Sequence, residues 1–314
     1  MTYIAAFRAE TGVVMCADTL ETMGQDARYV EKLVRKDCGG FSVVMGGAGA
    51  GDYVDGFIDK LAHDLSASSA TGFEELRKEI QKSLRDFYRD EVPLSTLPNK
   101  WRSMECLITA QKHGMGGTGL WKTRQSRVFD VDKFDIVGYG TPVNFYLANG
   151  LYRPNLPIYQ VVSLAAYLSS VAKATGSGVS GKTSIAVISP WEIYFEDKLD
   201  IRSLEERIDE FQVVVNKLFL DSMDLSLHSR EFEGKLDGYQ REFFQLRKKH
   251  RKYVAERMAR NIKNPSGRKH PYPDIPFGTS LRITTDPDGN VIDFEFNEDA
   301  DLLDFKIVDD GRGD

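Results

Sequence analysis

Strand-like and helix-like segments occur in separate blocks along the first 195 residues, and this order most constrains the fold. Two apolar runs, residues 3–8 and 13–17, flank the turn Glu10-Thr11-Gly12, which predicts a buried β-hairpin. The full predicted order is strands (3–8, 13–17, 33–34, 41–45), two helices (from Asp52, and 73–88), strands (104–110, 119–122, 127–131, 134–137), two helices (142–152, 157–174) and two strands (184–189, 193–195). Because like elements are grouped, the pattern favours an α+β layered fold over a parallel βαβ sheet.

The composition changes after residue 196, which predicts two domains, 1–196 and 197–314. In the second, Ser203-Leu204-Glu205-Glu206 has the form of a capping box that opens a long amphipathic helix. A second amphipathic helix is predicted over about 231–263, and the two are expected to pair as an antiparallel hairpin. A Pro-rich linker and a β-hairpin over 281–284 and 291–296 complete this extension.

Composition narrows the class of protein. The chain has 314 residues, of which 41% are hydrophobic and 28% charged, and three cysteines with no paired spacing. It has neither a signal peptide nor an apolar run long enough for a membrane span, so we expect a cytoplasmic protein without a membrane partner. The five histidines are scattered, and we expect neither a metal nor a cofactor.

Charge is unevenly distributed. Residues 241–270 carry a net charge of +9 in a chain of net charge −6. The segment either meets a partner of opposite sign or forms one solvated helix face. Since it lacks the interleaved aromatic residues of a single-strand channel, a nucleic-acid partner is not expected.

Thr2 is a candidate nucleophile. Methionine aminopeptidases remove Met1 before a small residue, which would leave a hydroxyl and a free α-amine on one residue. An α-amine with a pKa of about 7.7–8.0 can act as a general base at neutral pH. The predicted hairpin register places Thr2 opposite residue 18 or 19, so Asp18 should lie beside it. Lys32 can reach the same sheet edge, where the pair would either hold positive potential near the hydroxyl or form a surface ion pair of little consequence.

These residues resemble a known family. Thr2, Gly12-Val13-Val14-Met15-Cys16-Ala17-Asp18, Thr22-Met23-Gly24, Lys32-Leu33 and Ala48-Gly49 with Gly51-Asp52 are together similar to proteasome β-type subunits, and above all to the bacterial relatives HslV and Anbu. The resemblance covers about residues 2–195. It implies a four-layer αββα sandwich of the N-terminal-nucleophile (Ntn) hydrolase type, to which the helical hairpin and β-hairpin would be a C-terminal extension.

The resemblance also implies roles for individual residues. Thr2 would be the nucleophile, and Asp18 and Lys32 its supporting pair. Thr22 would pair with the substrate backbone as an added strand. An amide within Gly47–Gly49, with Gly49 favoured, would form the oxyanion hole.

Two positions depart from the family pattern. Tyr139, in Gly138-Tyr139-Gly140-Thr141, stands where the family has a serine that touches the N-terminal amine. Ser177, in Ser177-Gly178-Val179-Ser180-Gly181, stands where it has an aspartate. Tyr139, Ser177 and Ser180 nevertheless offer hydroxyl groups near the amine.

A competing motif overlaps the second departure. Residues 176–183 match the phosphate-binding pattern G-x-x-x-x-G-K-[ST] in full. A phosphate-binding loop follows a strand and opens a helix, whereas this segment is predicted to follow a helix and precede a strand. A glycine-rich turn that lines the Thr2 site is therefore expected.

Two hypotheses for function follow. The first is a threonine-type peptidase that acts on a peptide or protein substrate through a Thr2 acyl-enzyme. The second is a catalytically silent assembly or binding subunit. In both cases the family resemblance implies a homo-oligomer, either a ring or a helical stack.

Overall fold

A computed structural model of the chain describes residues 2–23, 26–94, 103–114, 116–176, 178–263, 280–285, 291–297 and 305–309. The chain divides into two compact units, Met1–Glu205 and Glu206–Asp314. This division falls inside a helix, beyond the domain boundary expected at residue 196.

The first unit contains twelve strands and four α-helices among its described residues. In chain order they are β1 (Tyr3–Ala9), β2 (Gly12–Asp18), β3 (Leu20–Met23), β4 (Asp26–Tyr29), β5 (Val34–Cys38), β6 (Phe41–Gly49), α1 (Gly51–Ser66), α2 (Phe73–Asp90), β7 (Met104–Lys112), β8 (Thr118–Arg124), β9 (Arg127–Asp130), β10 (Phe134–Gly138), α3 (Thr141–Leu151), α4 (Ile158–Thr175), β11 (Thr183–Ile188) and β12 (Ile193–Phe195).

These strands form three antiparallel sheets. The first sheet has the order β10-β1-β2-β11-β12, the second has the order β5-β6-β7-β8-β9, and β3 pairs with β4. The strand and helix blocks predicted from sequence are present, so the mixed α/β fold is confirmed. The β3–β4 hairpin was not predicted.

The central strands are buried because both faces of each sheet are covered. Ile4, Met15, Val44 and Leu107, from both five-stranded sheets, belong to one buried cluster. The other face of the second sheet packs against α1 and α2 in a second buried cluster, in which Phe57 of α1 is fully buried. The first sheet is covered by α4, which contacts β1, β2 and β11. Such double burial explains why β2 is buried along its whole length rather than in alternation.

The helix α5 (Lys198–Met223) begins in the first unit and ends in the second. The expected start at Ser203 is wrong, because the helix begins one turn earlier and Ser203 lies within it. Its N-terminal end is therefore not set by the capping box.

The second unit contains the rest of α5, then α6 (Ser229–Lys263), β13 (Ser280–Thr285), β14 (Val291–Asn297) and β15 (Phe305–Asp309). α5 and α6 contact each other in antiparallel order: the rings of Phe211 and Phe243 are 5.3 Å apart, and the Arg207 guanidinium lies 3.7 Å from the ring centre of Tyr253. β13 pairs antiparallel with β14 and parallel with β15, a strand not foreseen from sequence.

Among the described helices, none has the length and apolar character needed to cross a membrane. The described part of the chain also contains no group of three or more His, Cys, Asp or Glu residues that could hold a metal ion.

Candidate active site

Thr2 lies where three strands of the first sheet end together. In the ladder, Tyr3 is opposite Gly138 of β10, and Ile4 is opposite Ala17 of β2. Continuing this register by two residues places Asp18 beside Tyr3 and residue 19 beside Thr2, as the hairpin spacing predicted. The Thr2 carbonyl accepts a hydrogen bond of 2.8 Å from the amide of Tyr139. Thr2 is thus held at one end of the first sheet, between β10 and β2.

Gly138 permits this arrangement of the chain end. Its φ of 94° lies in the region that favours glycine, and a Cβ atom there would overlap the carbonyl oxygen of Thr2. A side chain at this position would push Thr2 out of the sheet edge.

Asp18 is fully buried and gathers donors from three directions. Its Oδ1 accepts from the Tyr3 amide and from Lys32 Nζ, each at 2.8 Å, and its Oδ2 accepts from the Leu20 amide at 3.2 Å. The Ser180 amide approaches the same oxygen at 3.5 Å. Both oxygens of this buried carboxylate therefore have hydrogen-bond partners. One of them belongs to the residue that follows Thr2, so Asp18 also fixes the path of the chain beside the nucleophile.

Lys32 forms an ion pair with Asp18 in which the lysine side chain is 7% exposed and the aspartate 0%. Its ammonium also donates to the carbonyl of Leu20. Burial lowers the pKa of Lys32, although the hydrogen bond and charge of Asp18, with a further contribution from Glu21, act to raise it. The site therefore contains a cation that is less firmly protonated than a surface lysine.

The glycine-rich end of β6 lies beyond the end of its neighbour β5, whose pairing stops at Val34 opposite Met45. Two amides of the β7 segment show the direction of the ladder. The amide of His113, after the end of β7, donates to the carbonyl of Gly40 on the side of β6, whereas the amide of Cys106 donates to the hydroxyl of Thr123 on β8. In an antiparallel ladder, two residues directly opposite each other either exchange both of their backbone hydrogen bonds or exchange none. Gly47 is opposite Cys106, whose amide points to β8, so the Gly47 amide also points away from its partner strand β7.

The two kinds of pair alternate along the ladder, so the same direction recurs two residues later, at Gly49. The amides of Gly47 and Gly49 therefore point towards the edge that β5 leaves unpaired. A Cβ atom at Gly47 would lie 2.6 Å from Val54 and 2.8 Å from the Cys106 sulfur, so α1 packs directly on this backbone. Ala48 contacts the first sheet instead, because its Cβ lies 3.2 Å from the position that a Cβ would take at Gly138.

The remaining predicted site residues differ in their contacts and in how much of each is described. Tyr139 binds Thr2 through its backbone amide, while its ring is partly exposed and lies against Gly176. Ser180 is exposed, and its carbonyl accepts from the Leu20 amide at 3.1 Å. Thr22 is opposite Ala27 in the β3–β4 hairpin, but its side chain lies outside the described residues, as does the whole of Ser177.

The segment between α4 and β11 connects a helix to a strand, as expected from the sequence, which is the reverse of the order around a phosphate-binding loop. Its amides point into the protein: that of Lys182 donates to the Thr19 hydroxyl at 2.9 Å, and that of Ser180 faces Asp18. Gly181, with a φ of 85°, leaves room for Thr19 and Tyr29. The turn therefore holds the end of β2 in place.

A polar cluster that sequence analysis did not identify lies behind β2. Lys173 Nζ donates to Glu205 at 2.6 Å and to the Thr183 hydroxyl at 2.9 Å, and Ser169 lies 2.9 Å from that hydroxyl. Thr183 is opposite Asp18 in the sheet. The spacing of Ser169 and Lys173 on one face of α4 was the available signal, but their partners are distant in sequence.

The described cysteines offer no rival nucleophile. Burial raises the pKa of both Cys16 and Cys106 to about 12, so each thiol stays protonated at neutral pH.

A Ser–His–Asp group on the second sheet is also unsuited to catalysis. The Ser42 hydroxyl donates to Asp37 at 2.5 Å and lies 2.8 Å from His113 Nε2. Because its proton is directed to the carboxylate, the imidazole can only donate to this oxygen and cannot activate it.

Comparison with known proteins finds chains of similar fold. No protein-family model and no curated protein matches the chain. Solved structures do match: Anbu (ancestral β-subunit) from Yersinia bercovieri has a TM-score of 0.58 at 14% identity, over 68% of this chain and 96% of that one. Anbu from Hyphomicrobium sp. strain MC1 has a TM-score of 0.58 at 14% identity, over 69% and 96%. The helical assembly of the Anbu complex from Pseudomonas aeruginosa has a TM-score of 0.57 at 14% identity, over 69% and 95%. The structural neighbours are thus Anbu proteins, which are relatives of proteasome β-type subunits. At this identity the likeness shows the fold alone.

Proposed function

We propose that this chain is a threonine-type peptidase of the Ntn-hydrolase class, with Thr2 as the nucleophile after removal of Met1. The observation that carries the proposal is the buried Lys32–Asp18 pair at the end of the first sheet, whose carboxylate accepts a hydrogen bond from the amide of Tyr3, the residue next to Thr2. The arrangement of two facing sheets with outer helices supports the four-layer αββα sandwich of that class, with the second unit as a C-terminal extension.

In the proposed reaction, the α-amine of Thr2 takes the proton of its own hydroxyl as Oγ attacks the substrate carbonyl. The charge on the carbonyl oxygen is stabilised by the outward-facing amides of Gly47 and Gly49. The ammonium then returns the proton to the leaving amine as the C–N bond breaks, which leaves an ester on Thr2. Water, deprotonated by the same amine, hydrolyses this ester and releases the acid.

Lys32 has an electrostatic role in this proposal. Its ammonium stabilises negative charge that develops on Oγ, and Asp18 keeps the ammonium in place. Thr22 binds the substrate as an added strand, and Tyr139, Ser177 and Ser180 have supporting roles through their hydroxyl groups.

Intact-mass spectrometry tests the proposal. The mature protein should lack Met1 and should gain the mass of one peptide epoxyketone, a reagent that reacts with both the hydroxyl and the free amine of an N-terminal threonine. Thr2→Ser should still react and Thr2→Ala should not. Labelling of Thr2→Ala at the wild-type rate would refute the assignment.

A catalytically silent assembly subunit is the second candidate. The observation in its favour is Tyr139, whose ring lies against Gly176 at a position where the family pattern has a small hydroxyl side chain. A protein that retains Met1 and resists the epoxyketone would support this alternative. For either function we propose a homo-oligomeric stack, in line with the helical assembly described for the Pseudomonas aeruginosa neighbour.

A further inference from the structure

One side of α5 in the second unit presents apolar side chains to solvent. Val213, Val215, Phe219, Leu220 and Met223 are between 39% and 66% exposed. We call these five residues the outer face of α5. Most soluble monomers do not place so many large apolar side chains together on one exposed helix.

The opposite side of α5 is occupied by α6. Phe211 packs against Phe243, Glu210 accepts from Lys249 at 2.9 Å, and Asp221 accepts from Lys235 at 3.2 Å. Successive residues are rotated by about 100° around a helix axis. Met223 therefore lies opposite these contacts, with Phe219 and Leu220 on either side of it, whereas Val215 follows Phe211 by four residues and lies at the border of the contact. All five residues of the outer face remain exposed. α6 therefore does not cover them.

The outer face carries almost no charge. Between Val213 and Met223 the only charged residues are Lys217 and Asp221, and Asp221 is engaged by Lys235 and Tyr239 of α6. Two copies of this face can meet without bringing like charges into contact. A strongly charged partner, by contrast, would find no complementary group on it.

The size of the face matches one side of a protein interface. Together with Leu225, which is 99% exposed in the following turn, the outer face presents roughly 700 Å² of residue surface, close to the about 800 Å² that each partner buries in a standard interface. A two-fold axis would cover the face on both chains at once, because the same patch serves both partners.

We propose that the outer face of α5 is an interface between two copies of this chain, paired helix against helix about a two-fold axis. This contact is separate from any stacking of the first units, and it holds whether or not Thr2 is a nucleophile.

Light scattering during size-exclusion chromatography of the full chain tests the proposal. Phe219→Glu, on the outer face, should lower the wild-type mass. Phe244→Glu should leave it unchanged; Phe244 is similarly exposed, at 61% against 58% for Phe219, but lies on α6 outside the face. Far-UV circular dichroism should show unchanged helix content in both variants, since both side chains are exposed. Met223→Glu provides a second, independent disruption and should also lower the mass.

Two results would overturn the proposal. The first is a wild-type mass of one chain, 35.4 kDa, at every concentration up to high micromolar. The second is an assembly whose mass neither Phe219→Glu nor Met223→Glu reduces. In either case, co-flotation of the wild-type chain, but not of Phe219→Glu, with phosphatidylcholine–phosphatidylserine vesicles would assign the face to a lipid surface instead.

Discussion

Replacing Lys32 by methionine tests the electrostatic reasoning about the site. Methionine matches the length and apolar stem of lysine but removes the charge, which leaves the fully buried Asp18 with only backbone donors. An uncompensated charge in such a site costs about 3–5 kcal/mol of folding free energy. We therefore expect Lys32→Met to lower the free energy of unfolding by about that amount at neutral pH.

Lys122→Met is the matched control. Lys122 pairs with Asp135 at 2.8 Å, the same distance as the Lys32–Asp18 pair, but the two side chains are 18% and 22% exposed. Water can solvate Asp135 after the change, so the expected cost is about 1 kcal/mol. The double variant Asp18→Asn/Lys32→Met removes both charges and should recover most of the stability lost in Lys32→Met.

Urea unfolding followed by circular dichroism measures these differences, and the rate of epoxyketone labelling separates stability from catalysis. Labelling should fall by about 10²-fold or more in Lys32→Met and should not recover in the double variant, because transition-state charge then lacks its cation. If Lys32→Met lowers the free energy of unfolding no more than Lys122→Met does, the reasoning that the buried Asp18 charge needs Lys32 for compensation is refuted.

Three further predictions follow from the same geometry. Gly138→Ala should destabilise the chain by about 2 kcal/mol or more and slow labelling, whereas Gly150→Ala, in open space on α3, should be neutral or stabilising; thermal unfolding compares them. Because the folded-state pKa of Lys32 is lowered, the unfolded chain binds more protons between that pKa and 10.5, so wild-type stability relative to Lys32→Met should rise with pH over this window in urea titrations. Glu205→Gln should cost about 2 kcal/mol by weakening the bonds to Lys173 and Thr183, while the exposed Asp209→Asn should cost little; equal losses would contradict a structural role for the cluster.

The cluster around Lys173 also guides the choice of a truncation. Ending the chain at residue 196 removes Glu205 and leaves the Lys173 ammonium without its carboxylate. A chain that ends after Glu205 keeps this pair and the whole first unit. We expect only the longer form to unfold at the same urea concentration as the first unit of the intact protein.

Local patterns in the sequence determined the β-hairpin that positions Thr2 and Asp18. The register of the apolar hairpin around Glu10-Thr11-Gly12 is set by its short turn, because the length of the turn fixes which residues pair. That register alone brought Asp18 to the end of β1 beside Thr2. The sequence also shows glycines at 47 and 49, and at Gly47 the absence of a Cβ lets α1 pack on the backbone. These features depend on contacts within about fifteen residues, which periodicity and turn chemistry can specify.

Contacts between distant segments were decided only by the tertiary structure. The β3–β4 hairpin has little apolar alternation and forms where residues 178–182 hold the end of β2. The pairing of Lys173 with Glu205 joins residues 32 positions apart, and it anchors a helix that begins before the capping signal at Ser203. Likewise, the direction of the Gly47 amide follows from the pairing of β6 with β7, more than fifty residues later in the chain. No local propensity encodes such pairings, because their energy comes from the burial and hydrogen bonding of groups that meet only in the folded chain.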